Sequence, residues 1–277
     1  MSQSEEPIFL SAAIITYNEE KNIHDCIASV HDWCDEVLVL DSFSTDKTRE
    51  LAEKFSRVRF VQHPFDGHIQ QKNRAIEMAR GSWIFSLDAD ERVTPELAGS
   101  IQKFIKENPE AAAARVYRLT YHLGKFIRYG GWYNARYRLI RKGEAFWGGE
   151  NPHDLVSPKK RVSLFDRRRC TLKGDLIHYS FSDFSHQIDT INKFSSIVAF
   201  TRAGKKRKFS LLKLIVKPPA KFIEIYIFKF GFLDGIPGFI LSVSSSFSMF
   251  AKIAKLYELT HTDIERPGNL RGDYKVQ

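Results

Sequence analysis

Four short apolar runs punctuate the N-terminal part of the chain: Phe9 to Thr16, Val37 to Leu40, Val58 to Val61 and Trp83 to Leu87. Each has strand length, and such near-continuous runs suit strands buried on both faces of a parallel sheet. Between the first two, Ile23, Cys26, Ile27 and Val30 fall at the i, i+3, i+4, i+7 positions of one helix face. Asn18 ahead of Glu19 and Glu20 offers that helix a cap with acids in its first turn. Thr45 or Asp46 caps a second helix that buries Leu51, Ala52 and Phe55, and Ile69 to Ala79 supplies a third. Thr94, Pro95 and Glu96 open a fourth with cap, N1 proline and acid in order. Repeated β-α units with right-handed crossovers predict an α/β fold with a doubly wound, mostly parallel sheet.

Ligands of such sheets bind at the carboxyl ends of the strands. Three of those ends are unusually polar: Thr16-Tyr17-Asn18-Glu19, Asp41-Ser42-Phe43-Ser44-Thr45-Asp46 and Asp88-Ala89-Asp90-Glu91. No GxGxxG follows the first strand, so a dehydrogenase loses its main support. Asp88 and Asp90 are two carboxylates one residue apart at a strand end. Both can reach Mg²⁺ or Mn²⁺, which commonly combine one or two carboxylates with substrate phosphates. The alternative is a solvated acidic turn; the position after an apolar strand favours the metal.

Composition narrows the partners. In 277 residues, 42 Lys and Arg against 33 Asp and Glu leave a formal charge of +9, which fits a nucleotide diphosphate, an anionic lipid or nucleic acid. No nucleic-acid recognition motif accompanies the basic residues, so nucleic acid is not an expected partner. Cys26, Cys34 and Cys170 give neither an even count nor a metal-ligand spacing, which suits a reducing cytosol. The opening MSQSEEPIF carries acids where a signal peptide carries basic residues, and export is not expected.

After about residue 185 the character changes. Gly204 to Lys208 is a basic run, followed by the apolar stretches Phe209 to Val216, Phe222 to Leu233 and Ile236 to Phe250. Lys217-Pro218-Pro219 is expected to break the first from the second. Gly235 to Ala251 is a marginal membrane spanner, with Pro237, Gly238 and several serines. Apolar helices edged by lysines more naturally lie in a lipid interface; the alternative is a helical subdomain packed on protein. Two regions are expected: 1–180, binding nucleotide and catalysing, and 181–277, a helical extension associated with membrane or acceptor.

The segments AAIITYNEEKNI, EVLVLDSFSTDKT, QKNRAIEMARGSWIFSLDADERV and YRLIRKGEAFWGGENPHD resemble a family 2 glycosyltransferase of the GT-A fold. The likeness is nearest to bacterial lipopolysaccharide core glucosyltransferases. It covers roughly residues 7–180 and continues through HYSFSDF and KFGFLDGIPG. It implies an inverting enzyme that moves a sugar, glucose by this likeness, from a UDP-sugar to a lipid-linked inner-core glycan with the help of a divalent metal. It also implies a cytoplasmic location, peripheral at the anionic inner face of the bacterial plasma membrane. Thr16, Tyr17, Asn18 and Glu19 match the nucleotide-side loop, and Asp41 matches the acid that binds uracil. Gln71 and Asn73 match the helix facing the nucleotide sugar, with Lys72 or Arg74 assisting. Asp88, Ala89 and Asp90 match the metal and diphosphate motif. A carboxylate at Asp41 can accept the uracil N3 hydrogen, or it can serve an Asx-turn or helix cap.

Glycosyl transfer to a hydroxyl also needs a base near the acceptor oxygen. Asp154 is the first candidate, with Glu91 and Glu150 as alternatives; similar transferases carry a His-acid pair on the acceptor side, more often His-Glu than His153-Asp154. His153 is a candidate third metal ligand or diphosphate contact, or else a packed loop histidine. Arg136, Arg138 and Arg141, near Trp132, Tyr133 and Trp147, suit either a phosphate-bearing acceptor cleft or an exposed strand of alternating character. Another lipid-linked or protein acceptor, and a non-catalytic nucleotide-sugar or membrane-binding protein, are the competing functions.

Overall fold

The computed structural model describes residues 10–150, 153–159 and 170–261, without the side chains of Glu150 and His153. The chain forms two compact units, Met1–Leu119 with Asn134–Tyr179, and Thr120–Tyr133 with Ser180–Gln277. The division drawn from sequence at 180 does not separate Thr120–Tyr133 from the first unit.

The first unit begins with β1 (Leu10–Thr16), α1 (Ile23–His31), β2 (Glu36–Asp41), α2 (Thr48–Ala52), β3 (Val58–Gln62), α3 (His68–Met78) and β4 (Trp83–Asp88). Next come β5 (Glu91–Val93), α4 (Pro95–Glu107) and β6 (Ala113–His122). After the second unit's β7 (Lys125–Ile127), the first resumes with β8 (Asn134–Arg141), β9 (Ala145–Glu150), β10 (His153–Pro158) and β11 (Thr171–His178). The sheet runs β3-β2-β1-β4-β8-β6-β11-β5, and β9 and β10 form a separate hairpin. β3, β2, β1 and β4 are parallel, and β8 then joins β4 antiparallel. The fold is the expected α/β type, a mostly parallel mixed sheet with helices on both faces.

The continuous apolar runs follow from that burial. Ala12, Ile14, Val37 and Val39 lie in one core with the face of α1 made by Ile23, Cys26, Ile27 and Val30. Ala13, Leu38 and Leu40 lie in a second core with Ala75 and Ile76 of α3. With alternate side chains buried on opposite faces, most positions of the strands are apolar. At the start of α4, Thr94 accepts the Leu97 N–H at 3.4 Å with Pro95 behind it, the cap the sequence predicts. Gly174 sits at φ +86° in β11, where an added Cβ would lie 2.4 Å from Leu97 N; no side chain fits between β11 and α4.

The second unit holds β7, α5 (Phe184–Gly204), α6 (Leu211–Ile223) and α7 (Ile236–His261). Asp183 caps α5 by accepting the His186 N–H at 2.8 Å. Asp234, almost fully buried, accepts the backbone N–H of Arg128 at 3.2 Å and of Tyr129 at 2.9 Å, tying the β7 segment to the helices of its own unit. Pro218 and Pro219 do not end α6, which runs through them to Ile223. The missing N–H groups remove ladder hydrogen bonds, and Ser246 Oγ donates to Pro218 O at 2.8 Å from α7. A π turn over Glu224–Phe228 follows. α7 is 26 residues long, long and apolar enough by length and composition to cross a membrane. Pro237 and Gly238 lie in its first turn, where proline is tolerated.

Candidate active site

The site assembles at the carboxyl end of β4. Asp88 is the last residue of that strand, and its neighbours arrive from α3, β5 and β8. Lys72 Nζ lies 2.9 Å from Asp88 Oδ1 and 2.7 Å from Asp154 Oδ2 of β10. Arg138 Nη2 lies 3.1 Å from Asp88 Oδ2 and 2.6 Å from Glu91 Oε1. Glu91 Oε2 accepts the Asp88 N–H at 3.0 Å. Burial raises the Asp88 pKa, but Lys72 and Arg138 outweigh it and hold this carboxyl well below the usual range. At Asp154 burial also acts upward, and the Lys72 charge and hydrogen bond bring the net shift below the ordinary value. Glu91 goes the other way: complete burial outweighs the pull of Arg138 and raises it.

Asn73 explains how Lys72 and Asp154 come to meet. Its side-chain amide donates to Trp147 O and accepts from Trp147 N, both at 2.8 Å, and so moors β9 to α3. The register then places Asp154 opposite Gly149 and Val156 opposite Trp147. The Lys72 ammonium stands 4.3 Å from the Trp147 ring centroid, a cation–π contact that completes its socket.

Several residues expected to face a ligand are committed elsewhere. Both ends of the Asn73 amide are engaged by Trp147. Gln71, wholly buried, donates to Ser42 Oγ at 3.1 Å and His63 O at 3.3 Å, and accepts from Arg74 at 2.8 Å. Arg74 pairs with Asp66 at 2.7 Å, leaving Lys72 as the inward cation of α3. Asp41 is also wholly buried; it accepts from the Ser44 N–H at 2.9 Å, from Ser44 Oγ and from Gln62 Nε2 at 3.0 Å. The bonds with Ser44 fulfil the turn role that the sequence offers as the alternative to a uracil contact. Glu91 has no exposed surface, so it cannot reach an acceptor hydroxyl; it sets Arg138 and the Asp88 backbone. The side chains of His153 and Glu150 lie outside the described residues.

The loop after β1 is laced to the loop after β2. Asn18, at φ 53°, accepts the Thr45 N–H at 2.8 Å, while its own N–H donates to Ser44 Oγ at 2.8 Å. The Glu19 N–H donates to Thr48 Oγ1 at 2.8 Å. Asp46 accepts the Thr48 N–H at 3.0 Å at the head of α2. Thr16 is buried with a hydroxyl that has no hydrogen-bond partner among the described residues. Tyr17 and Phe43 stand exposed at 58% and 51% on the ends of adjacent strands; sequence reasoning gave Phe43 no role, although an aromatic at φ 62° in a polar turn is a signal.

Asp90 and Ala89 complete the turn. Ala89 is buried, and its carbonyl accepts from Arg92 at 3.0 Å. His178 Nε2 lies 3.2 Å from Asp90 Oδ2, whereas Asp90 Oδ1 is buried with no partner among the described residues. An unpartnered buried carboxylate oxygen fits a hard cation. Among the described residues no group of three or more His, Cys, Asp or Glu converges as a complete cation site. Asp88 and Asp90 would therefore hold the ion together with substrate phosphates, where it would supply positive charge to a leaving diphosphate.

Residues 11–160 match the family described as Glycosyl transferase family 2. The chain belongs to that family. This glycosyltransferase is 29% identical, over 90% of its length and 92% of the relative's, to the lipopolysaccharide core biosynthesis glycosyltransferase LpsC of Rhizobium meliloti. It is 31% identical, over 91% of its length and 87% of the relative's, to an uncharacterized glycosyltransferase of Rickettsia bellii. Among solved structures, S. aureus TarS 1-349 in complex with UDP aligns over 91% of the transferase and 90% of that chain, at 16% identity and TM-score 0.45, a likeness too loose to carry argument.

Proposed function

We propose that this transferase moves glucose from UDP-glucose to a sugar hydroxyl of a lipopolysaccharide inner-core acceptor, with inversion at the anomeric carbon and Asp154 as base. The observation that carries the proposal is the Lys72 bridge. It brings a carboxylate from the β9–β10 hairpin beside the carboxylate at the end of β4, 2.7 and 2.9 Å from one ammonium. Arg138 also holds Asp88, at 3.1 Å, so Asp88 can stay with the donor while Asp154 is released toward the acceptor when Lys72 moves. The LpsC relative supplies the acceptor class, since its name refers to lipopolysaccharide core biosynthesis.

In this reading Tyr17 and Phe43 offer apolar faces to the uracil, and Asn18 and Glu19 hold that loop. Asp88 and Asp90 take the divalent metal, Mg²⁺ or Mn²⁺. Lys72 and Arg138 are the protein's own cations beside the diphosphate, and Lys72 turns from Asp154 toward it when the donor binds. The acceptor oxygen then attacks the anomeric carbon while its proton passes to Asp154. The bond from that carbon to the diphosphate oxygen breaks, and UDP leaves with the electron pair. Transfer takes place at the cytoplasmic face of the plasma membrane, with the exposed residues of α6 resting on anionic lipid.

The test is Asp154→Asn. UDP affinity by calorimetry should be nearly unchanged, while single-turnover transfer to deacylated lipopolysaccharide falls by about 10² to 10⁴, the range for loss of a general base. Wild-type turnover in this variant would reject Asp154, and a donor panel that favours a GDP- or TDP-sugar would reject the donor.

A further inference from the structure

We infer that Arg118, Arg136 and Arg138 form an oxyanion-binding face, a subsite for a phosphate or carboxylate group carried by a substrate. In the antiparallel pairing of β6 with β8, Val116 lies opposite Arg136 and Arg118 opposite Asn134. Arg118 and Arg136 therefore lie on one face, whereas Arg138 sits at a register shift, between Tyr137 opposite Arg115 and Leu139 opposite Ala114, and its side is fixed by its contacts. Arg118 and Arg136 are diagonal neighbours there, about 7 Å apart at that kind of position. Two contacts confirm the shared side: Arg138 Nη2 lies 2.6 Å and Arg118 Nη1 3.8 Å from the same Glu91 oxygen.

The local charge is unevenly matched. Glu91 is the acid that Arg118 and Arg138 share, and Asp154 is closest to Lys72. Arg136 is exposed and has no hydrogen bond or ion pair among the described residues, with Arg118 and Arg138 as like-charged neighbours. Partial desolvation and the repulsion of those two guanidinium groups lower its pKa, while Asp154 acts in the opposite sense. Two further donors lack an acceptor among the described residues: Arg118 Nε and Arg138 Nη1 are buried and have no partner there. Buried donors without acceptors cost free energy, and like charges on one face add to it. An oxyanion set against this face would satisfy both, because a planar guanidinium matches phosphate and carboxylate geometry through paired N–H donors. The face adjoins Asp88 through Arg138, so the anion it holds is part of a molecule at the reaction centre.

Two sources carry that chemistry: the donor's diphosphate, and an anionic group on the acceptor. This second source rests on the proposed acceptor class; the oxyanion face itself does not. The experiment titrates inorganic phosphate, inorganic pyrophosphate, UDP and uridine into the full-length wild type, Arg136→Gln, Arg136→Lys and Arg118→Gln, with circular dichroism to confirm folding. Phosphate or pyrophosphate should bind the wild type, bind Arg136→Gln about tenfold more weakly, as expected for loss of one charge-assisted donor group, and bind Arg136→Lys at an intermediate level. If UDP weakens in parallel while uridine does not, the anion is the donor's. If UDP affinity is retained and KM rises for untreated but not phosphatase-treated or carboxyl-reduced lipopolysaccharide, the anion is the acceptor's. Arg136→Gln and Arg118→Gln that keep wild-type affinity for phosphate, pyrophosphate and UDP, and the wild-type KM, would overturn the subsite. Phosphate binding without transfer to lipopolysaccharide would reject the acceptor and leave the subsite standing.

Discussion

Lys72 Nζ stands 2.7 Å from Asp154 Oδ2, joining residues 82 positions apart in the chain. This one ammonium neutralises the carboxylate proposed to act as base and, at 2.9 Å, the first carboxylate of the β4 end. In the proposed reaction donor and acceptor chemistry therefore share a cation.

Lys72→Met should cost stability in a pH-dependent way. Asp88 and Asp154 are held below their ordinary values, so the stability they contribute is present above the usual Asp pKa of about 3.9 and is lost as pH falls through their folded values. Without the ammonium, burial becomes the dominant influence at Asp154, and its ionised form turns unfavourable. The deficit relative to wild type should be about 3 kcal/mol near neutral pH, as for a buried pair that loses one member, and should shrink below about pH 4. Denaturant titrations between those two pH values measure it; a deficit that grows on acidification would contradict the bridge.

Glu91→Gln and Asp154→Asn separate positioning from proton transfer. In the first variant the introduced amide can still accept the Asp88 N–H, but Arg138 loses its closest carboxylate. Glu91→Gln should lower Tm and keep an acidic limb in the pH–rate profile. Asp154→Asn should remove that limb and lower Tm less than Lys72→Met does, because Lys72 keeps its pairing with Asp88. The reverse pattern would make Glu91 the base.

Asp90 should report the metal without reference to transfer. For the wild type, UDP affinity should rise when Mn²⁺ or Mg²⁺ replaces chelator, because an ion held by the carboxylates also binds the diphosphate. In Asp90→Asn that increment should be largely lost, while uridine affinity stays the same. Calorimetry with and without metal decides; equal increments in the two proteins would remove Asp90 from the ion.

The exposed face of α6 should bind lipid. Leu211, Leu212 and Ile215 are 60%, 71% and 61% exposed, with Lys213 and Lys217 interspersed. Leu212→Glu with Ile215→Glu removes little packing. It should reduce sedimentation with phosphatidylserine-containing vesicles about tenfold without lowering Tm, as expected when apolar insertion is replaced by repulsion. Unchanged sedimentation would exclude this face.

Much of the parallel half was legible because its information is local. The α1 stripe, the strand runs and the Thr94 cap each lie within a dozen residues, and the acids at the end of β4 follow directly from the strand that carries them. The network around those acids was not legible. Arg138 reaches Asp88 across 50 positions and Lys72 reaches Asp154 across 82, and periodicity does not encode which strand will lie beside which. Within α3, spacing could not tell that Lys72 turns inward while Gln71 and Asn73 serve the backbone and loops. His178 lay in a motif noted only for its likeness, and its contact with Asp90 depends on β11 pairing with β5. In α6 the local rule for proline was outweighed by packing against α7.

The mooring of Trp147 by Asn73 has a consequence for how such an enzyme can diversify. Both backbone groups of one hairpin residue are fixed to a helix of the sheet domain, so the hairpin is anchored at its base rather than at its tip. The connection between Glu150 and His153 can then change in sequence or length while Asp154 keeps its address. A swap of that connection between related enzymes is a graft onto a fixed hinge pin, and the proposed acceptor role of the hairpin can be tried there without rebuilding the carboxylates at the end of β4.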